Sequence, residues 1–218
     1  MTTEALVKQK KLQVFDFDIP ESVLDHYLTK DCIAVDTETR GLVIPRDRLC
    51  LVQISDDEGL VTFVKFQDPA SLPTKKETNL KKLFEAESVT KLFHFARFDV
   101  AVMKHYLDID INPIWCTKIA SKLVRTYTDK HSLKYLVSEL LGKELDKSNQ
   151  TSDWARSDLT EAQLEYAAND VLVLPPLKKK LTEILEREDR LELAEKLFKT
   201  LPTICELDLK GFAGVFEH

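Results

Sequence analysis

Glycine is scarce in this chain, with 5 in 218 residues. So few flexible positions argue against a glycine-rich β architecture and for a helix-rich α/β protein. Cysteine is sparse as well. Cys32, Cys50, Cys116 and Cys205 stand far apart with no C-x-x-C pair. That argues against a zinc site or a disulfide framework and leaves reduced, mostly buried thiols. No apolar run approaches the ~18 residues of a membrane span. The N-terminal MTTEALVKQKKLQVFDFD lacks the apolar stretch of a signal peptide. A cytoplasmic location with no membrane partner is the default expectation. Positive charge is not in excess: 31 Lys and Arg face 37 Asp and Glu, a formal net charge of −6. The broad basic surface of a protein that clamps long duplex nucleic acid is therefore missing. Any nucleic-acid contact must be local, or the substrate short, and bound cations would reverse the sign of an acidic pocket.

What remains is an ordinary globular composition, 44% hydrophobic and 31% charged, at a length that suits one medium domain. Residues 1 to 12 read as a polar tail. Pro20-Glu21-Ser22 opens a short helix through Leu28, with proline in its first turn. Cys32 to Val35, Leu49 to Ile54 and Leu60 to Phe66 read as three strands, antiparallel neighbours joined by turns. Residues 67 to 78 read as a polar loop. Asn79 to Ala86 has helical spacing, Lys91 to Phe95 is a fourth strand, Phe98 to Leu107 a helix, and Ile114 to Cys116 a short fifth strand. Apolar residues at i, i+3, i+4 then predict helices over 117–126, 132–141 and 160–174. Pro175-Pro176 kinks or restarts the helix, which runs to Arg187, and a last helix covers 189–200. Strands first and helices later predict a mixed sheet covered by helices.

Three weak signals fall in order along this pattern. Asp36 and Glu38 are two apart on a strand, so both carboxylates face the same side. Such a pair is costly on an apolar strand unless a cation sits there, and hard cations such as Mg²⁺ or Mn²⁺ take carboxylate oxygens. The plain alternative is a strand end with solvated acids. Asp99 falls in the first turn of a helix, where the helix dipole alone would favour an acid. Tyr166 and Asp170 share one helix face, one turn apart, among the apolar Leu164, Ala167, Ala168 and Val171.

Together the three resemble the motif set of the DEDD 3′→5′ exonucleases in the tyrosine-bearing subclass, ribonuclease D in particular. Asp36-Thr37-Glu38-Thr39-Arg40-Gly41-Leu42 is similar to the first motif, and Leu49 to Ile54 to the strand that follows it. His94-Phe95-Ala96-Arg97-Phe98-Asp99 is similar to the second motif. Ser152-Asp153-Trp154 with Gln163 to Val171 resembles the third. The stretches Cys116 to Lys134 and LPTICELDLKGF look closer still to the nanoribonuclease C group. The resemblance implies a ribonuclease H-like α/β fold and a single exonuclease domain over 1–218. Short N- and C-terminal extensions and no appended RNA-binding domain are expected. It also implies two divalent cations, short single-stranded RNA and above all dinucleotides as substrate, and a homo-oligomer, an octamer in that group.

In the mechanism expected from this resemblance, one metal lies on Asp36, Glu38 and Asp170 and activates water. A second lies on Asp36, is reached by Asp99, and stabilises the leaving 3′ oxygen. Tyr166 orients the water, since its reference pKa of about 10 argues against an ionised base. In the resembling families a leucine placed as Leu42 is wedges between two terminal bases; a loop leucine tucked into the core is the equal alternative. Thr37, His94 and Phe98 are further expected substrate contacts, although His94 also reads as a core histidine. Residues 116–134 carry Lys118, Lys122, Arg125, Lys130 and Lys134 with Tyr127 and His131. Arg125, Tyr127 and His131 are the expected phosphate contacts, while a solvated helix face accounts for Lys118 and Lys122. Leu207, Leu209, Phe212, Val215 and Phe216 pack on the core or form a subunit contact, which the resemblance favours. RNA and DNA both stay open, because no motif identifies a contact to the 2′-OH. General ribonuclease D-like trimming and a DNA-directed exonuclease are the rival activities. A catalytically inactive RNA-binding module is disfavoured by the full set of acids.

Overall fold

The computed structural model of the chain describes residues 11–67, 77–145, 152–156 and 158–216. The six strands among the described residues are β1 (Lys11–Asp16), β2 (Cys32–Thr39), β3 (Leu49–Ser55), β4 (Leu60–Lys65), β5 (Thr90–Phe93) and β6 (Ile114–Cys116). They form one sheet in the order β1-β4-β3-β2-β5-β6. β2, β3 and β4 are successive antiparallel neighbours, as the intervening turns predict. β5 pairs parallel to β2, and β6 parallel to β5. The sheet is thus mixed and flanked by helices, as the sequence pattern predicts.

The eight helices among the described residues are α1 (Glu21–Leu28), α2 (Asn79–Glu85), α3 (Ala96–Leu107), α4 (Thr117–Val124), α5 (Leu133–Leu141), α6 (Glu161–Leu172), α7 (Leu174–Arg187) and α8 (Leu191–Leu209). Local chemistry explains their limits. Pro175 and Pro176 fall in the first turn of α7, where no backbone N–H is required, so the helix restarts there. Leu174, Leu177, Leu181 and Leu185 then bury one face of α7, each contributing ~1.5–3 kcal/mol of apolar burial. α6 packs on β2 and β3, α3 on β5 and α8, and α7 on α4. β3 is buried from end to end and forms the centre of the core.

Two sequence expectations differ from the structure. The polar tail expected through residue 12 stops short of Lys11, where edge strand β1 begins and pairs parallel with β4. Its pattern hides it: Leu12 and Val14 face out and Gln13 faces in, where its amide donates to Thr62 Oγ1 at 3.2 Å. The last helix runs nine residues past its expected end at 200 and carries Pro202 inside it. Burial of Ala194, Phe198, Leu201 and Cys205 outweighs the ~3 kcal/mol that an internal proline costs. Residues 1–10 of the expected tail and most of the 67–78 loop lie outside the described residues.

Candidate active site

The parallel strands β2, β5 and β6 all point their carboxyl ends at one cleft, the position where open α/β sheets place their ligands. β5 pairs with β2 only over Cys32–Ala34, so the acid-bearing end of β2 runs on past it. The turn after β5 supplies His94 and Phe95, and the start of α4 after β6 supplies Lys118. The cleft has a volume of ≈ 360 Å³ and is lined by both ends of this arrangement, by Ser132 at the N-cap of α5 and Lys134 in its first turn, and by Tyr166 and Asp170 of α6.

Oxygens of Asp36, Glu38 and Asp170 come within 4.8 Å of one another. The helix carrying Asp170 is set by a reciprocal cap. The Thr160 hydroxyl accepts from the Gln163 backbone N–H (3.2 Å), and the Gln163 side-chain oxygen accepts from the Thr160 N–H (3.0 Å). Gln163 Nε2 also donates to Ser152 Oγ and Asp153 O, both at 3.2 Å, which ties the 152–154 segment to the same cap. Trp154 lies against Tyr166 with ring centroids 6.0 Å apart. Asp99, only 4% exposed, stands outside the three-acid group but accepts from Thr37 Oγ1 at 2.7 Å.

Burial is the main force on these carboxyls and their mutual repulsion the next. Asp36 is pushed well above the ordinary carboxylate range by burial, then by Asp99, Glu38 and Asp170. Glu38 is raised likewise, by burial and then by Asp170 and Asp99. Asp99 is raised to about 7 by burial, against the pull of its Thr37 hydrogen bond. Four acids that oppose each other's ionisation are what divalent cations relieve, and an all-oxygen donor set suits Mg²⁺ or Mn²⁺. The residues therefore fit the two divalent cations that the sequence resemblance implies. The Tyr166 phenol is raised above its ordinary value by burial, then by the Asp170 charge and by its hydrogen bond to Asp170. It is a neutral hydroxyl at physiological pH.

Leu42 is 82% exposed at the mouth of the cleft, so it is not the core leucine of the alternative reading. Its loop is built around Asp47, which accepts from Val43 N (2.9 Å) and from Arg46 Nε and Nη2 (both 2.8 Å). Thr39 Oγ1 donates to Gly41 O (2.5 Å), and the Tyr106 hydroxyl donates to Ile44 O. A Cβ on Gly41 would collide with the Asp47 carboxylate. Thr37, His94 and Phe98 also line the cleft. His94 Nδ1 sits 2.8 Å from Thr117 Oγ1, and that hydroxyl also lies 3.3 Å from Phe93 O.

Arg125, Tyr127 and His131 are not brought to the cleft. Arg125, 2% exposed, makes a bidentate pair with Glu139 and donates to Ser121 Oγ (3.2 Å) and Lys130 O (2.6 Å). Tyr127 donates to the same Glu139, and His131 Nδ1 lies 2.8 Å from Ser121 Oγ. The three brace the α4–α5 connection. The cations at the cleft are instead Lys118 and Lys134, the first of which reads from sequence as a solvated helix face. Its Nζ lies 3.8 Å from the centroid of the Phe95 ring. Phe95 is not an end-of-strand residue: its φ of +92° is left-handed, a strained state for a non-glycine residue, and it turns the ring to the cleft. The signal that could have found both is the rule that ligands gather where parallel strands end.

Residues 13–186 match the family model described as 3′-5′ exonuclease. The chain is 38% identical over 183 residues to the DNA polymerase I of Aquifex aeolicus, covering 84% of this chain and 29% of that protein. It is 33% identical over 189 residues to the ribonuclease D of a Shewanella species, covering 84% and 46%. The chain thus spans less than half the length of these curated relatives. Among solved structures, Brucella melitensis NrnC matches at 50% identity and a TM-score of 0.86, over 93% of this chain and 95% of that one. That protein is also solved with bound Mg²⁺ and bound to pGG. The chain belongs to the 3′-5′ exonuclease family, with ribonuclease D-like relatives.

Proposed function

We propose that this protein hydrolyses short single-stranded RNA, dinucleotides foremost, from the 3′ end to 5′-mononucleotides. The observation that carries the reading is Leu42, held out at the mouth of a small cleft by a braced loop, across from the acid cluster. An exposed apolar side chain on a rigid loop suits a wedge between two bases, and the cleft is small for a long strand. The pGG bound by Brucella NrnC, two nucleotides in length, supports the same reading.

Asp36, Glu38, Asp99 and Asp170 would hold the cations, which supply Lewis-acid stabilisation and a more acidic water. Tyr166, kept protonated, orients the attacking water without acting as a base. Thr37 fixes Asp99 through its hydroxyl. Phe95 and Phe98 offer aromatic surface to the bases. Lys118 and Lys134 provide local positive charge for phosphate in a chain of net negative charge. Residues 1–218 act in this reading as one exonuclease domain in the cytoplasm. Phe212, Val215 and Phe216, exposed at the end of the described chain, support a homo-oligomer, with an octamer as the expected size. Light scattering after gel filtration gives that number directly.

The likeness to a DNA polymerase I favours a second reading, a DNA-directed exonuclease. One competition assay separates them. A labelled diribonucleotide, the matching deoxydinucleotide and a longer RNA strand are mixed with enzyme and Mn²⁺. We expect the diribonucleotide to disappear far faster. Stepwise shortening of the long strand at an equal rate makes the protein a general trimmer, and faster loss of the deoxydinucleotide makes it DNA-directed.

A further inference from the structure

Gln53 lies in the middle of β3, a strand buried at every position. Its side chain is 0% exposed, and neither Oε1 nor Nε2 has a hydrogen-bond partner among the described residues. A buried carboxamide with no partner is destabilising, and an apolar side chain of the same shape would remove the penalty. Its place in the sheet gives the reason for keeping it. Gln53 is the direct cross-strand partner of Asp36 in the antiparallel β2–β3 pair, so the two side chains stand on the same face about 4.5–5.5 Å apart at Cβ. α6, which carries Tyr166 and Asp170, packs on these two strands.

We propose that Gln53 is a positioning residue for Asp36. Its amide N–H is the donor that fixes the Asp36 carboxylate once that group takes up a cation. A carboxylate on a metal is in turn held by donors behind it, and those donors set its orientation. Asp36 has the backbone N–H at Thr37, and Gln53 is the side-chain donor aligned with it across the ladder. The Gln53 carboxamide, without a partner among the described residues, is therefore the donor free to serve Asp36.

This inference rests on the metal-site reading, and its test separates the two. Gln53→Met keeps the length and shape and removes the donor; Gln53→Leu serves if that variant does not fold. Three quantities are measured for each: the metal-free Tm, Mn²⁺ affinity by calorimetry without substrate, and kcat as a function of Mn²⁺. We expect a Tm equal to or above wild type and an affinity about 10-fold or more weaker, the usual loss for such a donor. Turnover should recover at high Mn²⁺. Mn²⁺ affinity and turnover within twofold of wild type would overturn the role of Gln53. A lowered metal-free Tm would overturn it as well, since the carboxamide would then already be bonded in the core. A wild-type protein that binds no Mn²⁺ would instead remove the metal site itself.

Discussion

Asp36 stands with Glu38 and Asp170 in a three-acid group that could hold a metal ion, and is repelled by all three other acids of the cluster. Asp36→Asn should lower turnover by roughly three orders of magnitude, since several kcal/mol of charge stabilisation depend on the cations it helps to hold. Its metal-free Tm should not fall, because the substitution relieves like-charge repulsion. Wild-type-like hydrolysis by that variant would sink the mechanism. Gly41 is a different case. Its missing Cβ is what lets the Asp47 carboxylate close the loop behind Leu42. Gly41→Ala should displace the leucine and raise KM for a dinucleotide roughly tenfold, with kcat changed far less, as misplacement of a positioning group does. An unchanged KM in steady-state assays would separate Leu42 from substrate binding.

At the scale of elements, α6 is placed by its cap. The reciprocal Thr160–Gln163 bonds start the helix, and the same glutamine holds Ser152 and Asp153. Thr160→Ala should cost ~1 kcal/mol, a fall in Tm of about 2–4 °C at this chain length, with a drop in kcat because Tyr166 and Asp170 ride on that helix. Retained kcat alongside a lowered Tm would show that the cap only stabilises. The α4–α5 connection makes the opposite prediction. Arg125 is the buried hub of a network with Glu139, Ser121 and Lys130. Arg125→Ala should destabilise by about 1–3 kcal/mol, yet KM for a dinucleotide should stay within a few-fold. A large rise in KM with Tm unchanged, measured side by side, would return Arg125 to the substrate.

The whole molecule carries the acid cluster as a store of repulsion. A carboxyl whose pKa rises on folding holds more protons folded than unfolded, between its ordinary value and its raised one. Stability therefore falls as pH climbs through that interval. Asp99, raised to about 7, gives a window from about 4 to 7, and Asp36 and Glu38 act in the same direction. Carboxyls held low, such as Asp47 at about 2, act oppositely and only below their ordinary value. The Tm of the protein in chelator should thus fall between pH 5 and pH 7.5, on the order of the window just derived. Mn²⁺ at the upper end should raise it again, and Asp99→Asn should flatten the slope. A chelated protein whose Tm is flat across this range and indifferent to Mn²⁺ would contradict the cluster.

The sequence by itself determined the strands β2 to β6 and the helices α1 to α7 to within a few residues, and it set the five motif residues in order along them. Those features are local: alternation, helical spacing, proline in a first turn, and carboxylates on a fixed period need no knowledge of the rest of the chain. Edge strand β1 was not legible, because its apolar residues face outward and its pairing partner β4 lies almost fifty residues away. The extension of α8 through Pro202 depends on burial against α3 and β6, which no window of sequence contains. The same limit separates the cleft residues. Lys118 and Phe95 belong to the cleft because three parallel strands end there, and Arg125 leaves it because Glu139 claims its guanidinium. Which cation meets the substrate and which is spent inside the fold is a matter of non-local contacts, and only the tertiary structure decides it.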